Sequence, residues 1–136
     1  MAHSQPSLRT DLGRARGLGS ARQGVHHWWM QRVTAIALLP LSIFWLFSLH
    51  NIVDADHAHF MTWIGHPAVA IAAVLFVIAS FYHAALGIQV VVEDYVHHEG
   101  WKLGLLLLNQ IGFIFMGVAC TAAVVWLSLA AHIISG

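Results

Sequence analysis

One segment of this sequence carries several side chains able to do chemistry: SFYHAALGIQVVVEDYV, residues 80–96. It holds His83 inside an uncharged, apolar run and ends in Glu93, Asp94 and Tyr95. An imidazole can bind a metal or transfer a proton, a phenol can donate a hydrogen bond, and a carboxylate can relay protons. The surroundings of His83 decide which of these roles is open to it.

The composition indicates that those surroundings are a lipid bilayer. Of 136 residues, 59% are hydrophobic and 9% are charged, against roughly 25% charged residues in soluble domains, and the mean hydropathy is +0.73. A membrane-spanning helix needs about 20 predominantly apolar residues. Three stretches without Asp, Glu, Lys or Arg approach or exceed that length: residues 33–49, 67–92 and 103–134.

We therefore predict an all-α membrane protein with three transmembrane helices, at approximately residues 28–50, 67–92 and 102–134. A basic, flexible arm is predicted over residues 1–26, and the three-helix anchor over residues 27–136. At 15.0 kDa the chain leaves no room for a soluble catalytic domain. The single Cys120 excludes a disulfide or a cysteine-based zinc site within the chain.

The basic residues predict the orientation, because Lys and Arg are enriched on the cytoplasmic side of a membrane span. The first connection, residues 50–66, has no Lys or Arg, whereas the second contains Lys102. The N-terminus is therefore predicted to be cytoplasmic (or in the matrix) and the C-terminus to be on the outer side. Five arginines precede or begin the first helix: Arg9, Arg14, Arg16, Arg22 and Arg32.

The position of His83 in the bilayer follows from its distance to the charged end of its helix. Glu93 lies ten residues further on, about 15 Å along a helix and half of a hydrocarbon core of about 30 Å. An ionisable group at mid-membrane is a functional-site hypothesis, although a neutral imidazole bonded to a neighbouring helix is the plainer interpretation. Gly87, one turn away, leaves space either for a close helix or for a flat macrocycle whose iron the imidazole binds.

The other ten histidines fall at or beyond the membrane interfaces. A haem held by two histidines needs ligands on opposite faces and at similar depth, so the second ligand would come from another chain. A haem at His83 therefore implies a membrane partner.

Two segments together resemble a known family. GVHHWWMQRVTAIAL, residues 24–38, and YHAALGIQVVVEDYV, residues 82–96, are similar to the hydrophobic membrane anchor, the D subunit, of succinate dehydrogenase (succinate:quinone oxidoreductase, respiratory complex II). The shared pattern is His, five residues, Arg, one residue and Thr-Ala-Ile, followed by His, ten residues and Asp-Tyr. The aromatic pair Trp28 and Trp29 departs from some relatives and is typical of interfacial belt residues.

The resemblance implies specific roles. His83 matches an axial ligand of haem b, and Arg32 and His26 match residues of the haem propionate region. Asp94 and Tyr95 match the pair at the ubiquinone pocket. The implied activity belongs to a complex in the electron transport chain and the tricarboxylic acid cycle, in which this chain has no residues for succinate chemistry and is inactive alone.

The resemblance also implies partners and a location. Succinate is oxidised on a flavoprotein subunit carrying FAD, and electrons pass through an iron-sulfur subunit with iron-sulfur clusters. A cytochrome b556-type C subunit supplies the second haem ligand, and no nucleic acid is involved. The short tail favours the bacterial cytoplasmic (inner) membrane over the mitochondrial inner membrane.

The sequence alone leaves alternative interpretations open. Without the resemblance, Tyr95 is an interfacial anchor, Asp94 with Glu93 a solvated helix end, and Arg32 a cation reaching the head groups. Two other classes of protein compete. An anchor of fumarate reductase or another quinone-linked b-type cytochrome keeps the haem ligand, whereas a small non-redox transporter or assembly protein does not.

Overall fold

The computed structural model describes residues 21–135, apart from the side chains at positions 21–23, 49, 51, 134 and 135. Within this range the chain is helical and contains no strand: α1 is Ala21–Val53, α2 is His57–Ile64, α3 is Pro67–Tyr95 and α4 is Glu99–Ser135. Three helices are long and apolar enough to cross a membrane, over Gly24–Ser48, Pro67–Tyr95 and Glu99–Ile133. The predicted all-α membrane fold with three transmembrane helices is confirmed.

The structure adds two details. α1 already includes residues 21–26, which the sequence assigned to the arm, while the remainder of that arm lies outside the described residues. The first connection contains the eight-residue helix α2, which was not predicted. Asp56 caps the start of α2, because its carboxylate accepts a hydrogen bond from the backbone N–H of His59 at 2.7 Å. The orientation of the bundle in the membrane stays a prediction.

Both ends of α3 have local causes. Pro67 occupies the start of the helix, where its missing N–H costs nothing, and Nδ1 of His66 accepts the N–H of Ala68 at 3.3 Å. At the other end, Nζ of Lys102 donates to the carbonyl of Glu93 at 2.9 Å. This bond satisfies one of the last carbonyls of α3 and ties its end to the start of α4.

α3 is the central helix and packs against α1 on one side and α4 on the other. The rings of Phe81 and Phe113 meet with their centroids 6.0 Å apart. Gly117 of α4 lies beside Phe81, and a Cβ built there would make an ordinary van der Waals contact with that side chain at 3.5 Å. Nδ2 of Asn109 donates to the carbonyl of Ala85 at 3.0 Å, which links α4 to α3.

A small buried core closes the end of the bundle where α3 begins. Its buried members come from α2, α3 and α4, and aromatic rings cover them: Ile64, Val69 and Ala131, with Trp45, Phe60 and Trp63. The rings of Trp45 and Trp63 meet edge to face, 5.8 Å between centroids. α2 is therefore held by tertiary packing rather than by its own length, because isolated helices this short are unstable in water.

Elsewhere the helices bury little against one another. Only 17% of the most apolar window of α3 is buried inside the chain, and none of that of α4. The apolar outer faces are suited to lipid or to other membrane subunits.

Ala131 gives a test of the small core. It is 0% exposed, and its Cβ would lie 3.2 Å from a Cβ built on Gly65. We expect Ala131→Leu to lower the free energy of unfolding by about 1–3 kcal/mol, because added methyl groups overpack the contact between the α2 terminus and α4. The melting temperature in detergent, followed by tryptophan fluorescence, measures this effect. Ala123→Leu, on an exposed position of α4, is the control, and equal melting of both variants would contradict the packing described.

Candidate functional site

His83 faces a cavity of about 790 Å³ between α1 and α3. This volume lies within the range of about 300–1,000 Å³ that is usual for ligand pockets. Five of the lining positions come from α3 and six from α1: His83, Gly87, Gln89, Val90 and Glu93, with Gly24, His27, Trp28, Gln31, Arg32 and Ala35. The site therefore joins the two segments that carried the sequence resemblance.

Two side chains of α1 contact the His83 imidazole. The Oγ1 atom of Thr34 lies 2.9 Å from Nδ1, and Nε2 of the Gln31 amide lies 3.4 Å from Nε2. Thr34 is 8% exposed, and its hydroxyl also lies 2.8 Å from the carbonyl oxygen of Met30. Both ring nitrogens are thus approached by polar atoms, as the plainer interpretation of a buried histidine expects.

Helical spacing explains why these residues meet. His27, Gln31 and Thr34 are four and then three residues apart and form one stripe on α1. His83 and Gly87 are four residues apart on α3. Gly87 leaves open space beside the imidazole, since the nearest neighbour of a Cβ built there is Nε2 of Gln31, at 3.7 Å.

One end of the cavity carries charged and polar groups. Arg32 stacks over the Trp28 ring, with Cζ 4.4 Å from the ring centroid, a cation–π contact. Gln89 donates to a carboxylate oxygen of Glu93 at 2.8 Å. Nε2 of His27 is buried and has no hydrogen-bond partner. This end can therefore receive an acidic or hydrogen-bonding group of a ligand.

The predicted site residues do not all lie at this cavity. His83 and Arg32 line it, whereas His26 is exposed and does not. Its neighbour His27 lies there instead. Asp94 and Tyr95 are exposed at the end of α3, Tyr95 with 78% of its surface accessible, and neither belongs to the lining.

A second cavity of about 650 Å³ lies on the opposite side of α3, against α4. Its walls are almost entirely apolar, with Gln89 and Gln110 among the few polar groups. Among the residues that the structure describes, no group of three or more His, Cys, Asp or Glu side chains could hold a metal ion.

The His83 cavity fits a flat iron macrocycle on three grounds. It presents an imidazole nitrogen, it has a glycine beside that imidazole, and it contains buried polar atoms without partners, His27 Nε2 and Gln31 Oε1. An iron on Nε2 of His83 requires the Gln31 amide to move away from that nitrogen. The Gln31 side chain makes no other polar contact among the described residues, so its displacement would break only this one contact.

Sequence reasoning missed Thr34, Gln31 and His27. A signal was present, because polar residues at four- and three-residue spacing on an apolar helix mark a face that meets a polar partner. Thr34 also stood within the quoted Thr-Ala-Ile pattern without being given a role.

Comparison with known proteins gives consistent matches. The family model described as succinate dehydrogenase/fumarate reductase transmembrane subunit matches residues 6–119. A succinate dehydrogenase hydrophobic membrane anchor subunit from Rickettsia conorii is 36% identical over 119 residues, covering 85% of this chain and 93% of the relative. The protein of the same name from Paracoccus denitrificans is 28% identical over 108 residues, covering 79% and 84%. No solved structure matches this chain.

Proposed function

The chain belongs to the family of succinate dehydrogenase/fumarate reductase transmembrane subunits, and from this membership we propose that it anchors a succinate dehydrogenase, supplies one axial ligand to a shared haem b, and forms part of the ubiquinone-reduction site. Family membership by itself makes the chain a membrane anchor subunit of an oxidoreductase complex. Membership in the family is the observation that carries the proposal.

The cavity supports the haem assignment. Nε2 of His83 would hold the haem iron in this cavity, and a second membrane subunit would supply the other protein ligand. Arg32 lies at the polar end of the cavity and can neutralise a propionate. For His26 this role remains a prediction from the resemblance, and the structure adds His27, with its unpartnered Nε2, as a second candidate. A haem held there supplies one-electron redox chemistry.

The quinone site is assigned to the end of α3. Reduction of a quinone takes two electrons and two protons, so its carbonyl oxygens need donors where protons arrive, at the membrane edge. The exposed phenol of Tyr95 can donate a hydrogen bond to such an oxygen. Asp94, the adjacent carboxylate, can hold that geometry or relay protons. Both side chains remain open to a partner subunit that completes the pocket.

The proposed complex contains three other chains. A flavoprotein with FAD oxidises succinate, an iron-sulfur subunit carries the electrons onward, and a cytochrome b556-type C subunit provides the second haem ligand. We expect the iron-sulfur subunit to bind at the charged end of α3, because the soluble subunits must reach the quinone from the membrane surface. We place the complex in the bacterial cytoplasmic membrane, in agreement with relatives from Rickettsia and Paracoccus.

A second candidate function is the closely related one of fumarate reductase. The description of the family covers fumarate reductase as well, and an anchor of that enzyme would serve the reverse reaction at the same site. The relatives named above are succinate dehydrogenase subunits, which favours succinate oxidation. A small non-redox transporter or assembly protein is not supported by this family.

Purification of the intact complex tests the proposal. We expect the tagged full-length chain, extracted from its own membranes in mild detergent, to bring with it a flavin-containing and an iron-sulfur subunit and to catalyse succinate-dependent ubiquinone reduction. Deleting the gene should release the soluble subunits from the membrane and abolish quinone reduction, while succinate still reduces an artificial acceptor. A purified chain without flavin or iron would contradict the proposal. Faster fumarate reduction by a quinol than succinate oxidation would favour the second function.

A further inference from the structure

The hydroxyl of Thr34 occupies an unusual position between helices. Its oxygen lies 2.9 Å from Nδ1 of His83 and within reach of two carbonyl oxygens of its own helix, Met30 at 2.8 Å and Gln31 at 3.1 Å. Thr34 is 8% exposed, so water does not compete effectively for these contacts. Thr34 is one of only two α1 side chains that bond to His83 in the described structure.

The contacts of the Thr34 hydroxyl determine which nitrogen of the His83 imidazole carries the proton. A hydroxyl has one proton to donate, and a backbone carbonyl can only accept. When the Thr34 hydroxyl donates its one hydrogen bond to the Met30 carbonyl, only the lone pairs of its oxygen remain for His83. They can accept a hydrogen bond from the N–H of His83 Nδ1. The neutral ring then carries its proton on Nδ1, and Nε2 keeps a free lone pair.

The surroundings of Nε2 agree with that tautomer. The neighbouring amide nitrogen of Gln31 is a hydrogen-bond donor at 3.4 Å, which suits an unprotonated Nε2. In the opposite tautomer, the Thr34 hydroxyl would give up its 2.8 Å bond to Met30, and the proton on Nε2 would stand opposite the amide donor. The chain Met30 carbonyl, Thr34 hydroxyl, His83 Nδ1–H therefore leaves Nε2 as the acceptor atom at the cavity.

We propose that Thr34 is the positioning residue of the haem ligand, fixing the tautomer and the ring orientation of His83 so that Nε2 faces the iron. This inference rests on the proposed function, because it presupposes that His83 binds haem. Histidines bound to metals commonly donate their second N–H to an oxygen, and loss of that partner typically weakens metal binding about 10- to 100-fold. A hydrogen bond on Nδ1–H also makes the imidazole a stronger electron donor, which favours the oxidised iron.

The test compares Thr34→Val with Thr34→Ser in the assembled complex. Valine has the shape of threonine but cannot accept the Nδ1–H, whereas serine keeps the hydroxyl. We expect Thr34→Val to transfer haem to an added apo-globin about 10- to 100-fold faster than the parent, and to raise the haem midpoint potential in a redox titration. Thr34→Ser should restore both values to near those of the parent.

Thr62→Val is the matched control. It also removes a bond from a threonine hydroxyl to a carbonyl four residues earlier, Ala58 at 3.0 Å, but it lies in α2, away from His83. Haem transfer and potential should stay at parental values in this variant.

Each outcome decides between explanations. If Thr34→Val lowers only the yield of complex and leaves transfer rate and potential unchanged, Thr34 is a packing residue and the inference is wrong. If Thr34→Val and Thr34→Ser are equally impaired, the methyl group or the helix contact matters and the hydroxyl does not, which also overturns it. A parallel His83→Ala sample separates this failure from that of the proposed function, since an unchanged haem spectrum there would remove His83 itself as the ligand.

Discussion

Replacing His83 by alanine should remove the haem b absorption of the assembled complex while the anchor remains in the membrane. The imidazole is the chain's own iron ligand in the proposed site, and an alanine is readily buried in its place. Thr34 tolerates the loss, because its hydroxyl still bonds to the Met30 carbonyl. The difference spectrum of reduced minus oxidised complex, normalised to flavin, measures the effect.

The control for this experiment is His57→Ala, which removes an exposed histidine from the first position of α2. Its haem spectrum should equal that of the parent. An unchanged spectrum in His83→Ala would show that the iron ligand lies elsewhere and that His83 is a partly buried histidine serving only helix contacts. Quinone reduction can survive the loss of haem, because electrons reach the quinone from the iron-sulfur subunit if the pocket is intact.

Removing one hydroxyl group, in Tyr95→Phe, should lower quinone-dependent turnover about 5- to 150-fold. The phenol is proposed to donate a hydrogen bond to a quinone carbonyl, and leaving that oxygen unpaired costs about 1–3 kcal/mol. The ring itself, 78% exposed at the end of α3, is retained, so an anchoring role would be nearly untouched. The measurement is the rate of succinate:ubiquinone reduction by the purified complex.

Two comparisons make the Tyr95 result specific. Reduction of an artificial acceptor that takes electrons before the quinone should stay near the parental rate. Tyr82→Phe changes the other tyrosine of the chain, which lines the cavity between α3 and α4, and should leave quinone reduction unchanged. A parental quinone rate in Tyr95→Phe, or a parallel fall in both assays, would make Tyr95 an anchor or an assembly contact.

The membrane architecture could be predicted from sequence because it depends on local properties. An apolar run without charges must be helical in lipid, where every backbone N–H and C=O needs an internal partner. The length of the run indicates whether the helix can span the membrane. The ten-residue separation of His83 and Glu93 likewise predicts a mid-membrane depth for His83 from the geometry of a single helix.

The family resemblance identified His83 and Arg32, both of which line the same cavity. It also predicted that His26 lies in the haem propionate region. In the structure His27 lines the cavity, and His26 does not. These two residues are adjacent in sequence, but successive side chains on a helix point about 100° apart. Their assignment therefore depends on how α1 is rotated about its axis.

Tertiary structure alone decided which residues meet. Thr34 and Gln31 lie 49 and 52 residues from His83 in sequence and still contact its ring. α2 likewise depends on contacts with α3 and α4, because eight residues are too few to form a stable helix alone. The polar stripe of His27, Gln31 and Thr34 indicates one face of α1, but the sequence does not show which residue of α3 that face meets. The rotation of α1 against α3 is set by side-chain packing and by the two part-buried contacts with His83.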